Sequence, residues 1–137
     1  MQNLVEQIEV ELKIENVEKI NDFLKKFFEK FEHPLKMENH FDVAVDEIFS
    51  NVLHYSGADN LNLVVCVDTD KRFVSMTFVD SGKAFNPLEN DDPDVTLIAE
   101  KRKIGGLGIF LVKKLMDVVE YKRENEKNVL KIVKFFN

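Results

Sequence analysis

The sequence predicts an α/β (α+β) two-layer sandwich, in which three helices cover one face of a mixed, mostly antiparallel sheet. Strand-like and helix-like hydrophobic periods follow one another in the order β-α-α-β-β-loop-α-β-β. Strands that succeed one another without a helix favour antiparallel pairing, whereas a doubly wound sheet needs strict alternation of strand and helix. With 137 residues, 45% of them hydrophobic, the chain can fill one core, so we expect a single domain over residues 1–137.

The first half of the chain predicts one strand and two helices. The strand is indicated by apolar residues that alternate with charged ones, namely Ile8, Val10, Leu12 and Ile14. Asn16 can cap the following helix, whose apolar residues recur at helical spacing over Val17–Phe31 and which Pro34 ends. A second helix is predicted from about Glu38 to Tyr55, with Gly57 as its C-terminal stop.

The second half predicts four strands, one helix and one long irregular segment. In chain order these are the strands Leu61–Val67 and Phe73–Val79, the irregular segment from Ser81 to about Lys103, a helix over Leu107–Val118, and the strands Val119–Arg123 and Val129–Phe136, joined by a turn at Asn125–Asn128. Irregular segments of this length in compact domains are usually functional. We therefore expect a binding site beside it.

Glycine is concentrated at the start of the third predicted helix. The chain has five glycines, and three of them are Gly105, Gly106 and Gly108. Backbone N–H groups left open at a helix N-terminus attract anions. This pattern predicts a phosphate-binding segment, although the sequence contains neither a Walker A motif nor the dinucleotide-binding glycine fingerprint.

Two further motifs carry polar groups suited to a nucleotide site. Glu47 and Asn51 lie one helical turn apart at the border of the apolar stripe, so they share a face. An amide oxygen such as that of Asn51 suits Mg²⁺, and a carboxylate such as that of Glu47 suits a general base. Asp80 ends an apolar strand and precedes Gly82. Taken singly, Glu47 and Asn51 are better explained as an ordinary solvated helix edge, and a strand-ending turn explains Asp80 at least as well as a binding role does.

In combination, the three motifs resemble the Bergerat-fold (GHKL) ATPase and kinase superfamily, which includes gyrases, heat-shock chaperones and histidine kinases. The N-box of that superfamily resembles Asp46–Asn51, its first glycine box resembles Asp80–Pro87, and its second resembles Ile104–Ile109. Within the superfamily the chain looks most like the stand-alone anti-sigma-factor serine kinases of bacteria, which are similarly short and carry a Glu four residues before the N-box Asn.

The resemblance implies a role for each motif. Glu47 would be the catalytic base and Asn51 would bind Mg²⁺. Asp80, with Gly82 and Phe85 in the same box, would bind the adenine side of ATP. The second box would hold the phosphates, with the residues Ile104, Gly105, Gly106, Leu107 and Gly108. The family's substrate is a serine on an anti-sigma-factor antagonist, its other partner is a sigma factor, and its members imply a homodimer, for which the apolar first strand offers an edge.

The sequence departs from the family at two positions. Tyr55 stands four residues after Asn51, where many members have His. Many members end with a Gly-Thr pair whose hydroxyl helps to hold adenine. The matching hairpin of this chain carries Asn128 instead, which is a candidate to replace that hydroxyl as a hydrogen-bonding group. Lys101, Arg102 and Lys103 are candidates for reaching the γ-phosphate, and a solvated basic patch is the equal alternative.

Charge and hydropathy limit the partners. The net charge of −6 argues against direct binding to nucleic acid or to an anionic membrane. No apolar run reaches the ~18 residues that a bilayer-spanning helix needs, and the first residues do not resemble a signal peptide, so we expect a cytoplasmic protein.

Two alternatives to a serine kinase remain open at this point. One is a protein-binding regulator gated by ATP without phosphoryl transfer. The other is a detached catalytic domain of the histidine-kinase type, which would need a phosphoacceptor histidine on a partner.

Overall fold

An antiparallel sheet organises the molecule. The structure, a computed structural model, describes residues 3–89 and 107–137. In these ranges the strands are β1 (Asn3–Glu11), β2 (Asn60–Asp68), β3 (Phe73–Asp80), β4 (Val118–Glu124) and β5 (Lys127–Phe135). Their spatial order is β1-β2-β3-β5-β4, and each of these neighbouring pairs is antiparallel. The predicted fold class is confirmed.

Three α-helices supply the second layer. They are α1 (Val17–Phe28), α2 (Leu35–Tyr55) and α3 (Leu107–Leu115), and a 3₁₀ turn over Ile14–Asn16 precedes the first. Alternate residues of β2 are fully buried, as the strand period of two requires: Leu61, Leu63, Val65 and Val67. They share one apolar core with the buried faces of the helices. Among the described helices, none is both long and apolar enough to cross a bilayer.

The first strand lies further toward the N-terminus than its pattern predicted. β1 pairs with β2 from Asn3 opposite Asp68 to Glu11 opposite Asn60. Ile14, predicted to lie in the strand, instead begins the 3₁₀ turn and is 72% exposed. The alternation of apolar and charged residues continues beyond Glu11, which is the last residue of β1 paired with β2. The chain therefore leaves the sheet before the hydrophobic pattern ends.

The helix boundaries also differ from the prediction. The Asn16 side chain does not cap α1, because its Nδ2 donates to the Glu11 carbonyl oxygen at 2.8 Å. α2 begins at Leu35, directly after Pro34 in an extended conformation, rather than at Glu38. Gly57 follows the end of α2 with a φ of 69°, as its predicted role as a helix stop requires.

The last hairpin is tighter than predicted. Asn125 and Glu126 both have positive φ, 52° and 60°, which is the conformation of a two-residue turn of type I′. Lys127 and Asn128, predicted to lie in the turn, therefore belong to β5. α3 ends at Leu115 instead of Val118, because Val118 already pairs with Val133.

We predict that Phe41→Ala lowers the free energy of unfolding by about 3–5 kcal/mol, because Phe41 is fully buried in the core and its removal leaves a cavity. Val43→Ala on the same helix is the matched control, since Val43 is 40% exposed and its replacement should stay within about 0.5 kcal/mol. Urea unfolding of both variants measures the difference, and similar losses would contradict this assignment of the buried face of α2.

Candidate functional site

The α2 helix carries two of the candidate residues at the edge of its buried face. Ala44, Val45, Ile48 and Phe49 are at most 3% exposed. Glu47 and Asn51 are half-buried and lie one turn apart. Both side chains therefore border the core, where they are partly shielded from water and remain accessible to a ligand.

Glu47 meets the first turn of α3. A Cβ placed on Gly108 would overlap the Oε2 atom of Glu47, so only glycine allows the carboxylate to lie there. The two residues are 61 positions apart in the sequence, and α3 begins one residue before Gly108. A carboxylate thus lies directly beside the end of a helix whose open N–H groups favour anions.

Asp80 lies at the end of β3 and is 5% exposed. Its Oδ1 atom accepts hydrogen bonds from the Gly82 N–H at 2.9 Å and from Asn128 Nδ2 at 3.1 Å. Within the described part of the chain, both of these hydrogen bonds are accepted by Oδ1. The second oxygen is left to accept a hydrogen bond from a ligand.

Gly82 allows the chain after β3 to pack on the C-terminal end of α2. A Cβ at this position would overlap the carbonyl oxygen of Ser56, and the Lys83 N–H donates to that oxygen at 2.8 Å. The sequence suggested that Gly82 lets a base approach the backbone. The structure adds a separate reason for glycine, which is this close approach of two backbone segments.

A small cavity of about 20 Å³ lies between α2 and the ends of β3 and β5. It is lined by Ile48, Asn51, Val52, Ser56, Phe78, Asp80, Phe85, Pro87, Tyr121, Asn128 and Leu130. The cavity brings together three of the predicted nucleotide-binding residues, Asn51, Asp80 and Phe85. Phe85 stacks on Tyr55 with ring centroids 5.0 Å apart, so a purine enters this space only if Phe85 moves.

Another depression, of about 590 Å³, is more open and lies on the opposite face of the sheet. Glu9, Asn62 and Lys127 are among its lining residues, and Asp80 and Ser81 form its rim toward the end of β3. Its volume exceeds that of the cavity at Asn51, but it is lined by Asp80 without Asn51 or Phe85, whereas all three line the smaller cavity. We therefore place the candidate site on the helical side of the sheet.

Tyr121 was missed at the sequence level. Its hydroxyl donates to Asn128 Oδ1 at 2.6 Å, and Asn128 lies opposite Asp80 in the β3–β5 register. The two-residue turn at Asn125–Glu126 joins β4 to β5 and sets the register of that pair. A turn assigned as Asn-Glu rather than as four residues would have placed Asn128 in a strand paired with β4, the strand that carries Tyr121.

Several predicted residues fall outside the described part of the chain. These are Ile104, Gly105, Gly106 and the cationic candidates Lys101, Arg102 and Lys103. Leu107 is the first residue of α3, and its side chain is likewise outside the description. Gly108 is the member of the second glycine box whose surroundings the structure gives.

We predict that Gly108→Ala lowers the free energy of unfolding by at most about 1 kcal/mol, because the added methyl group displaces only the flexible end of the half-buried Glu47 side chain. In a Glu47→Ala background the same change should be neutral or stabilising by up to about 1 kcal/mol, because alanine favours a helix over glycine. Urea unfolding of the four proteins of this cycle gives the coupling. Gly57→Ala is the control, because a Cβ at Gly57 would lie in open space; it should lower the free energy of unfolding equally with and without Glu47→Ala. If Gly108→Ala also changed that free energy equally in the two backgrounds, the contact with Glu47 would be refuted.

Comparison with solved structures gives a match to the crystal structure of the RsbU and RsbW domains of Rv1364c from Mycobacterium tuberculosis. The TM-score is 0.67 at 9% sequence identity, and the match covers 97% of this chain and 32% of the other. The chain thus spans about a third of that protein, and the likeness concerns the fold. No curated protein matches the sequence of the chain.

A family comparison covers nearly the whole fold. The sequence model of the histidine kinase-like ATPase domain matches residues 10–134, which include α2, the end of β3 and α3 with their candidate site residues. The arrangement of Glu47, Asn51, Asp80 and Gly108 and this match therefore lead to the same conclusion: the chain belongs to the histidine kinase-like ATPase family.

Proposed function

We propose that this chain is an ATP-dependent protein serine kinase that phosphorylates an anti-sigma-factor antagonist and also acts as an anti-sigma factor. The observation that carries the proposal is the Glu47 carboxylate lying against Gly108 in the first turn of α3. A base candidate beside a helix N-terminus suits transfer of a phosphoryl group to a hydroxyl. The shared fold with a structure that contains an RsbW domain supports the same kind of protein.

The residues present fit an adenine nucleotide. The N-terminus of α3 offers backbone donors for phosphate, and the Glu47 carboxylate fills the space beside Gly108. Asp80, at the other end of the site, is an acceptor whose second oxygen suits an exocyclic amino group. The backbone donors of α3 would meet the phosphates of ATP, and the Asp80 carboxylate at the other end of the site would meet the amino group of its adenine.

Asn51 is the residue that would hold Mg²⁺. Its side chain lines the same cavity as Asp80 and lies one helical turn from Glu47. An amide oxygen is a hard ligand of the type that Mg²⁺ accepts, and Mg²⁺ usually takes only one or two protein ligands when it is bound together with phosphates. When bound, the ion neutralises charge on the phosphates.

Glu47 would act on the attacking hydroxyl. Its half-buried carboxylate would accept the proton of a substrate serine as the serine oxygen bonds to the terminal phosphorus of ATP. The bond from that phosphorus to the oxygen bridging it to the β-phosphate breaks at the same time, and ADP leaves. Gly108 gives that carboxylate room beside the first turn of α3, so the proposed base lies next to the proposed phosphate-binding end of the helix. Phosphoryl transfer depends mainly on such positioning and on charge neutralisation.

The partners belong to the same proposal. The protein substrate would be an anti-sigma-factor antagonist, and the second partner a sigma factor. The homodimer that the resemblance implies remains a prediction, and β1 lies at the end of the strand order, as the predicted edge contact requires. The cytoplasm is the compartment in which such partners occur.

We predict that Glu47→Gln reduces phosphoryl transfer by about 10²–10⁴-fold while ATP still binds, because the amide cannot accept the serine proton. The measurement combines γ-labelled ATP, a panel of purified anti-sigma-factor antagonists and calorimetric titration of ATP. Asp42→Asn is the matched control, since Asp42 is an exposed carboxylate on the same helix and its loss should leave transfer unchanged.

The outcomes separate the alternatives. Full transfer by Glu47→Gln would remove Glu47 from the mechanism. A wild-type protein that binds ATP without transferring phosphate would be a nucleotide-gated regulator. Acid-labile phosphate on the partner would indicate phosphohistidine and a histidine-kinase type of domain, whereas phosphoserine is stable to acid.

We predict that Asn51→Ala weakens ATP binding in the presence of Mg²⁺ by about tenfold, which corresponds to about 1.4 kcal/mol. The loss arises because the metal loses its protein ligand, so the same titration in excess chelator should show no difference from wild type. Ser50→Ala, a change at the neighbouring exposed position, is the control. An equal loss with and without Mg²⁺ would assign Asn51 to the nucleotide rather than to the metal.

A further inference from the structure

Asn128 joins four groups beside the candidate nucleotide site. Its Nδ2 donates to Asp80 Oδ1 at 3.1 Å and to the Lys83 carbonyl oxygen at 2.8 Å. Its Oδ1 accepts from the Phe85 N–H at 3.1 Å and from the Tyr121 hydroxyl at 2.6 Å. The residue is 5% exposed. One amide therefore connects the end of β3, the chain that follows it, and β4.

These bonds use the full capacity of the side chain. A carboxamide offers two N–H donors and two acceptor positions, and all four are occupied. The orientation of the amide is also fixed, because the Phe85 N–H can only donate and the Lys83 carbonyl can only accept. Asn128 consequently cannot bind a nucleotide without giving up one of its protein partners.

Tyr121 completes the network from the edge of the sheet. Since Asn128 Oδ1 is only an acceptor, the Tyr121 hydroxyl must donate to it. Donation to the amide oxygen polarises the group and strengthens the bond from its Nδ2 to Asp80. The Tyr121 hydroxyl therefore affects the Asp80 carboxylate through Asn128, without contacting it.

We infer that Asn128 and the Tyr121 hydroxyl form a positioning pair that orients the Asp80 carboxylate for recognition of the base, an inference that rests on the proposed nucleotide site. Asn128 acts on the nucleotide through Asp80, and the Tyr121 hydroxyl acts through Asn128. Bonds from Asn128 and Gly82 hold Oδ1 of Asp80, so that Oδ2 faces the ligand as a pure acceptor. Such an acceptor favours a 6-amino purine over a 6-keto purine.

The test compares ATP with inosine triphosphate, which carries a keto group in place of the 6-amino group. Calorimetric titration in Mg²⁺ gives the ratio of the two dissociation constants. Tyr121→Phe keeps the ring and removes the hydroxyl, and it should reduce the preference for ATP about fivefold, as expected for one lost hydrogen bond. Tyr55→Phe is the matched control, since Tyr55 is the other tyrosine of the chain and contacts Phe85 through its ring; its ratio should equal that of wild type.

A second background tests the route through Asn128. Asn128→Ala removes both the donor to Asp80 and the amide oxygen to which Tyr121 donates. In this background Tyr121→Phe should have no further effect on the ratio, because residues that act through one another are not additive. Thermal unfolding of each variant verifies that it is folded.

Three outcomes would overturn the inference. Equal weakening of both nucleotides by Tyr121→Phe would make the hydroxyl a structural group only. A persistent effect of Tyr121→Phe in the Asn128→Ala background would mean that Tyr121 acts directly on the base. A wild-type protein that binds neither nucleotide would defeat the proposed function together with this inference, whereas the first two outcomes leave the proposed function intact.

Discussion

The contact between Glu47 on α2 and Gly108 in the first turn of α3 is the constraint on which the rest of the candidate site depends. Two helices can approach until a side chain of one meets the backbone of the other, and here glycine permits that approach. The contact brings a carboxylate from the middle of one helix to the N-terminus of another. Any larger residue at position 108 would displace the end of the Glu47 side chain from this place.

The sheet fixes the other end of the site. β3 and β5 pair antiparallel with Asp80 opposite Asn128, whereas the tight turn at Asn125–Glu126 sets the register of β5 with β4. The buried Asp80 carboxylate is then held by a side chain from β5 and by the backbone of Gly82. Buried polar groups that are fully hydrogen-bonded take one defined orientation, which a recognition site requires.

The net charge of the protein does not determine the electrostatic field at the candidate site. The chain is acidic, and several carboxylates gather in a depression between α1 and α2 that contains none of the candidate site residues from the described ranges. The pKa of Asp42 there is raised, first by partial burial and then by the neighbouring Glu38 and Asp46. The anion binding proposed at α3 would depend instead on backbone donors at its N-terminus, whose effect falls off within one turn.

Most of the fold followed from local patterns. The helical stripe from Val17 and the alternation in β2 identified the elements correctly, because burial of one face imposes a period of 3.6 or 2 on the sequence. The boundaries were less predictable. Ile14 fits the strand period yet lies outside the strand, since β1 ends where β2 no longer offers hydrogen-bond partners.

By itself, the sequence determined the fold class and the candidate residues on α2, at the end of β3 and in the glycine box, because spacing along one element decides which side chains share a face. Only the tertiary structure placed Glu47 against Gly108 and linked Tyr121 through Asn128 to Asp80. These contacts join residues far apart in the chain. Their geometry depends on how helices pack and on strand register, which no local pattern encodes.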